Sequence, residues 1–462
     1  MSDVALVYGV GVAGMATAAA LVKRGYTVVA ADDHADEGKA AALRGVGVEL
    51  RRGSLDDELL DLVASVDFVA PAPGIPESHP VIVEAIRQGV PLRSELDLAY
   101  AWERERPDGP RPMVAVTGTD GKTTTVSMAE EILTAGGCRP VACGNTEIPL
   151  VEAIDLDVDV FVVEATSFRL AFAEEFRAVA SAWINLAPDH LDWHSSMSSY
   201  EAAKARLWRG VEPGDTAIGF ADDPVVMAHL RQARCRQVTF AKTSADYCLE
   251  GTSLRGPTGT LMDTRSMQRA LPHDITNALA ASALVLESGL VSTDSVERAL
   301  STFVPPHHRI ELIAEHRGVR WFDDSKATTP HAAVTAIRGF ESVVLIAGGR
   351  NKGLDLSAMA SESQRIRAVV ALGEAAPEIE SVFGNRVPVT IVASMEEAVE
   401  AASRRAVAPD VVLLSPGCTS LDWYTGYAAR GDDFARHVAA LISDSRSVAS
   451  EDMIFRPGKG RP

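Results

Sequence analysis

Through most of this chain a short apolar run stops at a glycine-rich or polar loop, and a helical stretch follows. VALVYG leads into GVGVAG, MVAVT into GTDGKTTT, DVFVVE into ATSF, SVVLIAGG into RNKG, and DVVLLSP into GCTSLDWYTG. Strands buried on both faces read as continuous apolar runs, and their alternation with helices is the pattern of a parallel, doubly wound sheet. An α/β fold is therefore expected, with the polar loops gathered at the C-terminal ends of the strands, where such sheets bind ligands. The 462 residues suffice for about three domains, each with its own core.

Residues 1–107 form the first expected domain. Its strand signals are Ala5–Tyr8, Thr27–Ala31, Val46–Leu50, Asp67–Ala70 and Val90–Arg93, with helical stretches such as Asp57–Ala64 and Pro80–Gln88 between them. GVGVAG is a phosphate-binding turn, with Asp32 and Asp33 at the end of the second strand where a ribose-binding acid would sit. Close helix–strand packing would also explain those glycines. Val4–Val22 has the length of a membrane span, but its glycines fit strand, turn and helix better. The charged, Pro/Gly-containing stretch Glu103–Arg111 reads as a linker. Residues 112–305 and 306–445 form the second and third domains, and 446–462 a polar, mobile tail.

Met113–Met128, MVAVTGTDGKTTTVSM, is the strongest chemical signal. Strand, glycine loop and helix N-terminus would cradle an anion, with Lys122 adding a full charge and Thr123 a hydroxyl for Mg²⁺. Only Thr119 and Asp120 separate Gly118 from Gly121, so the strict Walker A spacing fails. Downstream, DVFVVEATSF brings Glu164, Thr166 and Ser167 to a strand end, where a carboxylate is well placed to meet a phosphate-bound cation. NLAPDHLDWH carries Asn185, Asp189, His190 and Asp192. SSYEAAKARLW reads as a helix capped by Ser198 and Glu201, with Lys204 close to its start. Val238–Met267 suggests a small hairpin layer, and Asp274 and Asn277 lie three apart on a helix.

The formal charge of −19 disfavours nucleic acid as a partner, so anionic ligands would be held by local lysines, helix N-termini and metal. Five cysteines without a CxxC pair suit a reduced, cytoplasmic protein with no membrane partner.

In order, TGTDGKTTT, CGN, EATSF, NLAPDHLD, AAKARLW, HDITNALAA, HHRIE, WFDDSKAT, AGGRNKG and LLSPGCTSLDWYTGYAARG resemble the ATP-dependent Mur ligases over about residues 4–440. WFDDSKAT and SPGCTSLD resemble the glutamate-adding (MurD-type) branch. The resemblance implies a Rossmann-like N-terminal domain, a central P-loop ATPase-type domain and a Rossmann-like C-terminal domain. It implies addition of glutamate, D-glutamate foremost, to UDP-N-acetylmuramoyl-L-alanine through an acyl phosphate, as part of cytoplasmic peptidoglycan precursor synthesis by a monomer. Gly118, Thr119, Asp120, Gly121, Lys122, Thr123 and Thr124 would hold ATP phosphates, with Asn277 at adenine and Arg309 and Asp324 along phosphates and ribose. Two Mg²⁺ sites are implied, held by Thr123, Glu164, His190 and Lys204, the last as a CO₂-derived carbamate. Gly11, Gly14, Asp33, Gly74, Asn145, Thr166 and Arg169 would face the nucleotide sugar. Lys326, Thr328, Lys352, Ser420 and Tyr427 would line the glutamate pocket.

Four positions depart from the family pattern. Asp120 and Asp274 stand where asparagine is usual, GNTE replaces GNIG at Glu147, and ATSFR replaces LSSFQ at Arg169. Glu147 and Arg169 are expected to pair. The alternatives are a relative adding L-glutamate, a folylpolyglutamate synthase, an NAD-dependent oxidoreductase read from GVGVAG, and a non-catalytic nucleotide sensor.

Overall fold

The computed structural model describes residues 3–52 and 57–452. Residue contacts gather into two units, Met1–Ala270 with Asp274–Phe303, and Leu271–His273 with Val304–Pro462.

The first unit contains two parallel sheets. The N-terminal sheet runs in the order Glu49–Arg52, Thr27–Asp32, Val4–Tyr8, Phe68–Pro71. The expected strand at Val90–Arg93 is absent, leaving one bridge from Val69 to Leu92. Pro91 explains this, because it has no N–H to give a ladder. The first strand is followed at once by the helix Val12–Lys23. A Cβ on Gly14 would lie 1.9 Å from the Gly9 carbonyl oxygen, so close helix–strand packing requires that glycine. Around Gly11 there is open space, so the turn still offers its backbone to a ligand.

The second sheet runs Arg236–Phe240, Thr216–Phe220, Ala180–Trp183, Met113–Thr117, Val160–Glu164, Pro140–Gly144. Every residue of Met113–Thr117 and of Val160–Glu164 is buried, as apolar runs covered by helices on both faces require. Chain order reverses at Met113–Thr117, which puts the phosphate-type loop at the switch point of the sheet. The expected hairpin layer is the antiparallel sheet Cys248–Glu250, Ser253–Gly256, Gly259–Asp263.

The stretch read as a linker is fixed to the second sheet's domain. The helix Glu95–Arg104 runs into it, and Glu103, 2% exposed, accepts hydrogen bonds from Arg111 N, Nε and Nη2 at 3.0, 2.8 and 2.8 Å. Arg111 also donates to the carbonyls of Ile154 and Leu156. Accordingly, no division between contact clusters falls near residue 107.

The second unit holds a sheet ordered Glu311–His316, Val319–Asp323, Val411–Gly417, Val343–Gly348, Ile366–Leu372, Val389–Ile391. Its first pair is antiparallel and the rest parallel. The last helix spans Tyr427–Asp452, continuing past residue 445 into the stretch expected to be a tail. Residues 453–462 lie outside those described. Among the described residues no helix is long and apolar enough to cross a membrane.

Replacing Glu103 by alanine leaves the Arg111 guanidinium without its counter-charge. We expect Glu103→Ala to lower the unfolding free energy by roughly 3–5 kcal/mol in urea titrations. A loss below about 1 kcal/mol, the range of an exposed ion pair, would return the segment to a simple tether.

Candidate active site

Helix Lys122–Ala135 has Gly121 as its N-cap, which has no side chain to cap the N–H groups of the first turn. Gly121 precedes it at φ +86°, and a Cβ there would lie 2.7 Å from Asn277 Oδ1, so the expected adenine-side residue sits against the loop. Asn185 braces the loop, its Oδ1 accepting from Thr119 N and Asp120 N at 2.8 and 3.0 Å and its Nδ2 donating to the Asp120 carbonyl at 2.9 Å. Thr119 Oγ1 reaches Tyr200 Oη at 3.1 Å, and Thr124 is buried in the first turn. The sequence alone assigns no role to Asn185 or Tyr200. The NLAPDH motif was a signal for the former.

Lys122 Nζ donates to the carbonyls of Gly118 and Thr119 at 2.9 and 2.7 Å. Lys204 Nζ donates to the same Gly118 carbonyl at 2.6 Å from a side chain only 1% exposed, above the ring of Tyr200. Burial first, and the neighbouring Lys122 charge second, hold the Lys204 ammonium well below its ordinary pKa. Asp189, Asp120 and Glu164 act in the opposite direction with less weight. Lys204 lies in the last turn of helix Met197–Ala205, not near its start, because the N-cap is Ser196 and not Ser198. Glu201, expected in a capping box, instead contacts His229 at 2.8 Å.

Glu164 is 2% exposed; its Oε1 accepts from Asn145 Nδ2 at 3.0 Å, and its Oε2 has no hydrogen-bond partner. Thr166 Oγ1 is likewise buried and unpartnered. Buried carboxylate and hydroxyl oxygens left open beside a phosphate-type loop are donors suited to a hard cation. His190, at φ +55°, is held by Asp189, which accepts from its N at 2.8 Å and lies 3.0 Å from its Nε2. Among the described residues no hydrogen bond or ion pair joins His190 to Glu164. Arg169 does not pair with Glu147: its Nε contacts Glu95 Oε2 at 2.8 Å, and Glu147 is exposed. Asp274, itself buried, forms an ion pair with the half-buried Arg269 at 2.7 Å. In the N-terminal domain Asp33 accepts from Tyr8 Oη at 2.6 Å and meets His79 Nε2 at 3.1 Å, and Gly74 lies in an exposed turn.

In the second unit three strand-end loops come together as expected. The backbones of Arg350 and Thr419 exchange hydrogen bonds of 2.9 and 3.0 Å. Arg430, fully buried and unforeseen, donates to Ser325 Oγ and O and to the Cys418 carbonyl at 2.8–3.2 Å, joining the loops of Asp324–Lys326 and Ser415–Asp422. Lys326 Nζ stands 5.1 Å from the Tyr427 ring centre, Ser420 is buried, and Thr328 and Lys352 are half-buried. Asp324 Oδ2 accepts from Ser415 Oγ at 2.7 Å. Burial pushes the Asp324 carboxyl up to about 7, against the opposing pull of Ser415 and the Arg309 charge. His308, Glu311 and Asp323 bring one possible ligand atom each within 4.8 Å, a grouping not foreseen from sequence. There His308 Nδ1 and Asp323 Oδ2 already share a 2.6 Å hydrogen bond.

Comparison with known proteins sets these features in a family. A UDP-N-acetylmuramoylalanine–D-glutamate ligase from Frankia casuarinae is 40% identical over 94% of this chain and 93% of its own length. The chain belongs to the Mur ligase family. The same kind of ligase from Syntrophus aciditrophicus is 36% identical over 94% of this chain and 97% of its own. Family profiles described as Mur ligase MurD-like N-terminal domain, Mur ligase middle domain, and Mur ligase glutamate ligase domain match residues 3–94, 116–285 and 308–418. The crystal structure of UDP-N-acetylmuramate-alanine ligase MurC from Thermotoga maritima shares the fold, with TM-score 0.57 and 20% identity, covering 96% of this chain and all of that one. The three α/β domains of a Mur ligase are thus present, and the oxidoreductase reading of GVGVAG loses its support.

The raised Asp324 pKa has a sign that can be tested. The unfolded carboxyl ionises near 4 and the folded one near 7. Between those values the folded state holds the extra proton, so this group's contribution to stability falls as pH rises and is flat above. Asp324→Asn lacks this loss. Its stability relative to the parent should therefore climb from pH 4 to pH 7 in denaturant titrations, at up to about 1.4 kcal/mol per pH unit. A constant difference would show that Asp324 ionises normally.

Proposed function

We propose that this Mur ligase adds D-glutamate to UDP-N-acetylmuramoyl-L-alanine at the expense of ATP. The observation that carries the chemistry is the pair of lysines on the Gly118 carbonyl, beside a helix N-terminus that opens on a glycine and a buried carboxylate with one open oxygen. The identity of acceptor and donor is supported by relatives of 36–40% identity spanning almost the whole chain.

In this reading the alanyl carboxylate oxygen attacks the γ-phosphorus of ATP, the bond to ADP breaks, and an acyl phosphate forms. The glutamate amine, neutral after giving its ammonium proton to solvent, then attacks the acyl carbon, and the tetrahedral species passes a second N–H proton to the departing phosphate as it expels it to leave the amide. Such transfers depend on positioning and charge neutralisation more than on covalent help. Lys122 would leave its loop carbonyls for the β- and γ-phosphates, while the first-turn N–H groups hold the same oxygens. Thr123, Glu164, His190 and Lys204 would hold magnesium, which supplies neutralisation of phosphate charge. The lowered pKa raises the share of neutral amine at Lys204, and that is the form that captures CO₂. The resulting carbamate would turn a cation into an oxygen ligand. Asn277 would meet adenine, Arg309 and Asp324 the rest of the nucleotide, and Lys326, Thr328, Lys352, Ser420 and Tyr427 the glutamate. The first domain, with Gly11, Asp33 and Gly74, would hold the nucleotide sugar.

Phosphate release from ATP with UDP-N-acetylmuramoyl-L-alanine should be stimulated by D-glutamate and not by L-glutamate. Stimulation by neither enantiomer would end the proposal, and preference for the L-form would correct it. Lys122→Ala should lower turnover by at least about 100-fold. Lys204→Ala should be inactive and regain partial activity with short added carboxylates, and the intact parent should carry the mass of one CO₂ at Lys204. Absence of both the rescue and the adduct would remove the carbamate.

A further inference from the structure

Arg169 stands where the family pattern has a neutral glutamine, and its extra charge is matched by a residue 74 positions away. It belongs to the short helix Ser167–Leu170 that follows the strand ending in Glu164. Its guanidinium is 6% exposed, and Nε donates to Glu95 Oε2 at 2.8 Å. Glu95 opens the helix Glu95–Arg104, is 4% exposed, and also accepts from Val151 N at 3.3 Å.

The other arm of the guanidinium is spent on Asn145, with Nη1 donating to Asn145 Oδ1 at 3.3 Å. A guanidinium has no acceptor, so it fixes which end of the asparagine amide faces it. With the oxygen turned to Arg169, Nδ2 is turned to Glu164 and donates to Oε1 at 3.0 Å, while Asn145 N donates to the Glu164 carbonyl at 3.0 Å. Glu164 is thereby held by one carboxylate oxygen and by its backbone. Its Oε2 remains buried and unpartnered.

We infer that Glu95 and Arg169 are positioning residues for Glu164, acting through Asn145 so that one carboxylate oxygen is occupied and the other is kept for a divalent cation. This rests on the metal-side role given to Glu164 above. It also reassigns Arg169 from contacting the nucleotide sugar to orienting the residue beside it. A neutral glutamine at position 169 could present either end of its amide, so this chain's arginine makes the orientation unambiguous. The arginine in turn requires Glu95, because an unpaired guanidinium at this depth is strongly destabilising.

The whole 462-residue chain offers a direct test, with Mn²⁺ binding in the presence of ADP read by water-proton relaxation and thermal melting read in parallel. Arg169→Lys keeps a charge for Glu95 but lacks the second arm for Asn145. It should melt close to the parent yet bind Mn²⁺ roughly tenfold more weakly, the usual loss when a partner of a metal ligand is removed. Asn145→Ala, at an exposed position, should show a similar loss, and the double variant should be no weaker than either single one, because both act on one path. Unchanged Mn²⁺ affinity in Arg169→Lys, or additive losses in the double variant, would overturn the inference. So would a raised KM for the nucleotide sugar with Mn²⁺ affinity intact, which marks direct substrate contact. Should Arg169→Lys fail to fold, Glu95→Gln combined with Arg169→Met removes charge pair and donor together and carries the same expectation. A parent protein that binds no Mn²⁺ with ADP would defeat the underlying metal-site reading, whereas a binding parent with unaffected variants defeats this inference alone.

Discussion

The carbonyl oxygen of Gly118 accepts from two lysine side chains, at 2.6 Å from Lys204 and 2.9 Å from Lys122. Two ammonium groups on one oxygen would repel by several kcal/mol even at an effective dielectric constant of about 20. The burden falls on the buried Lys204, whose pKa is lowered by burial and by the Lys122 charge, while Lys122 sits half-buried at the helix start. The rest of the neighbourhood maintains that asymmetry. Tyr200 covers Lys204, Asn185 stiffens the loop that carries the shared carbonyl, and Asp120, Asp189 and Glu164 supply the negative field around it. The site is therefore ordered by electrostatic frustration confined to one backbone atom.

What could be read from the sequence is what short-range patterns encode. Apolar runs with polar stops gave the parallel sheets, and the loop at Gly118–Lys122 emerged at the switch point of the central one. Strand ends at Asp324, Arg350 and Ser415 read as polar loops on one side of the sheet, and the backbone bonds between Arg350 and Thr419 join two of them. Boundaries that depend on a single competing bond are not legible in such patterns. Ser196 takes the N-cap that Ser198 was given, and Pro91 prevents a strand that its neighbours favour. The charged run at Glu103–Arg111 looked like a tether because composition does not reveal that its two end residues bond to each other.

Partnerships between distant charges were the least legible. Glu147 and Arg169 seemed complementary because both break the family pattern in neighbouring motifs, whereas Arg169 meets Glu95, whose own sequence context marks only a helix start. Asp274, another departure, is neutralised by Arg269, five residues away but before the helix begins. Arg169 and Asp274 look like isolated oddities along the chain and become halves of pairs once folded.

Arg430 has a consequence for how this protein can change. One buried guanidinium bonds to backbone oxygens of Ser325 and Cys418 on separate loops. Insertions or side-chain exchanges in either loop are felt by the other, since a carbonyl that shifts leaves a buried donor behind. Natural variation or laboratory evolution that reshapes this face would find few single steps that alter one loop alone. Drift is better tolerated at the rim, where Leu421 and Trp423 are exposed and free of that anchor.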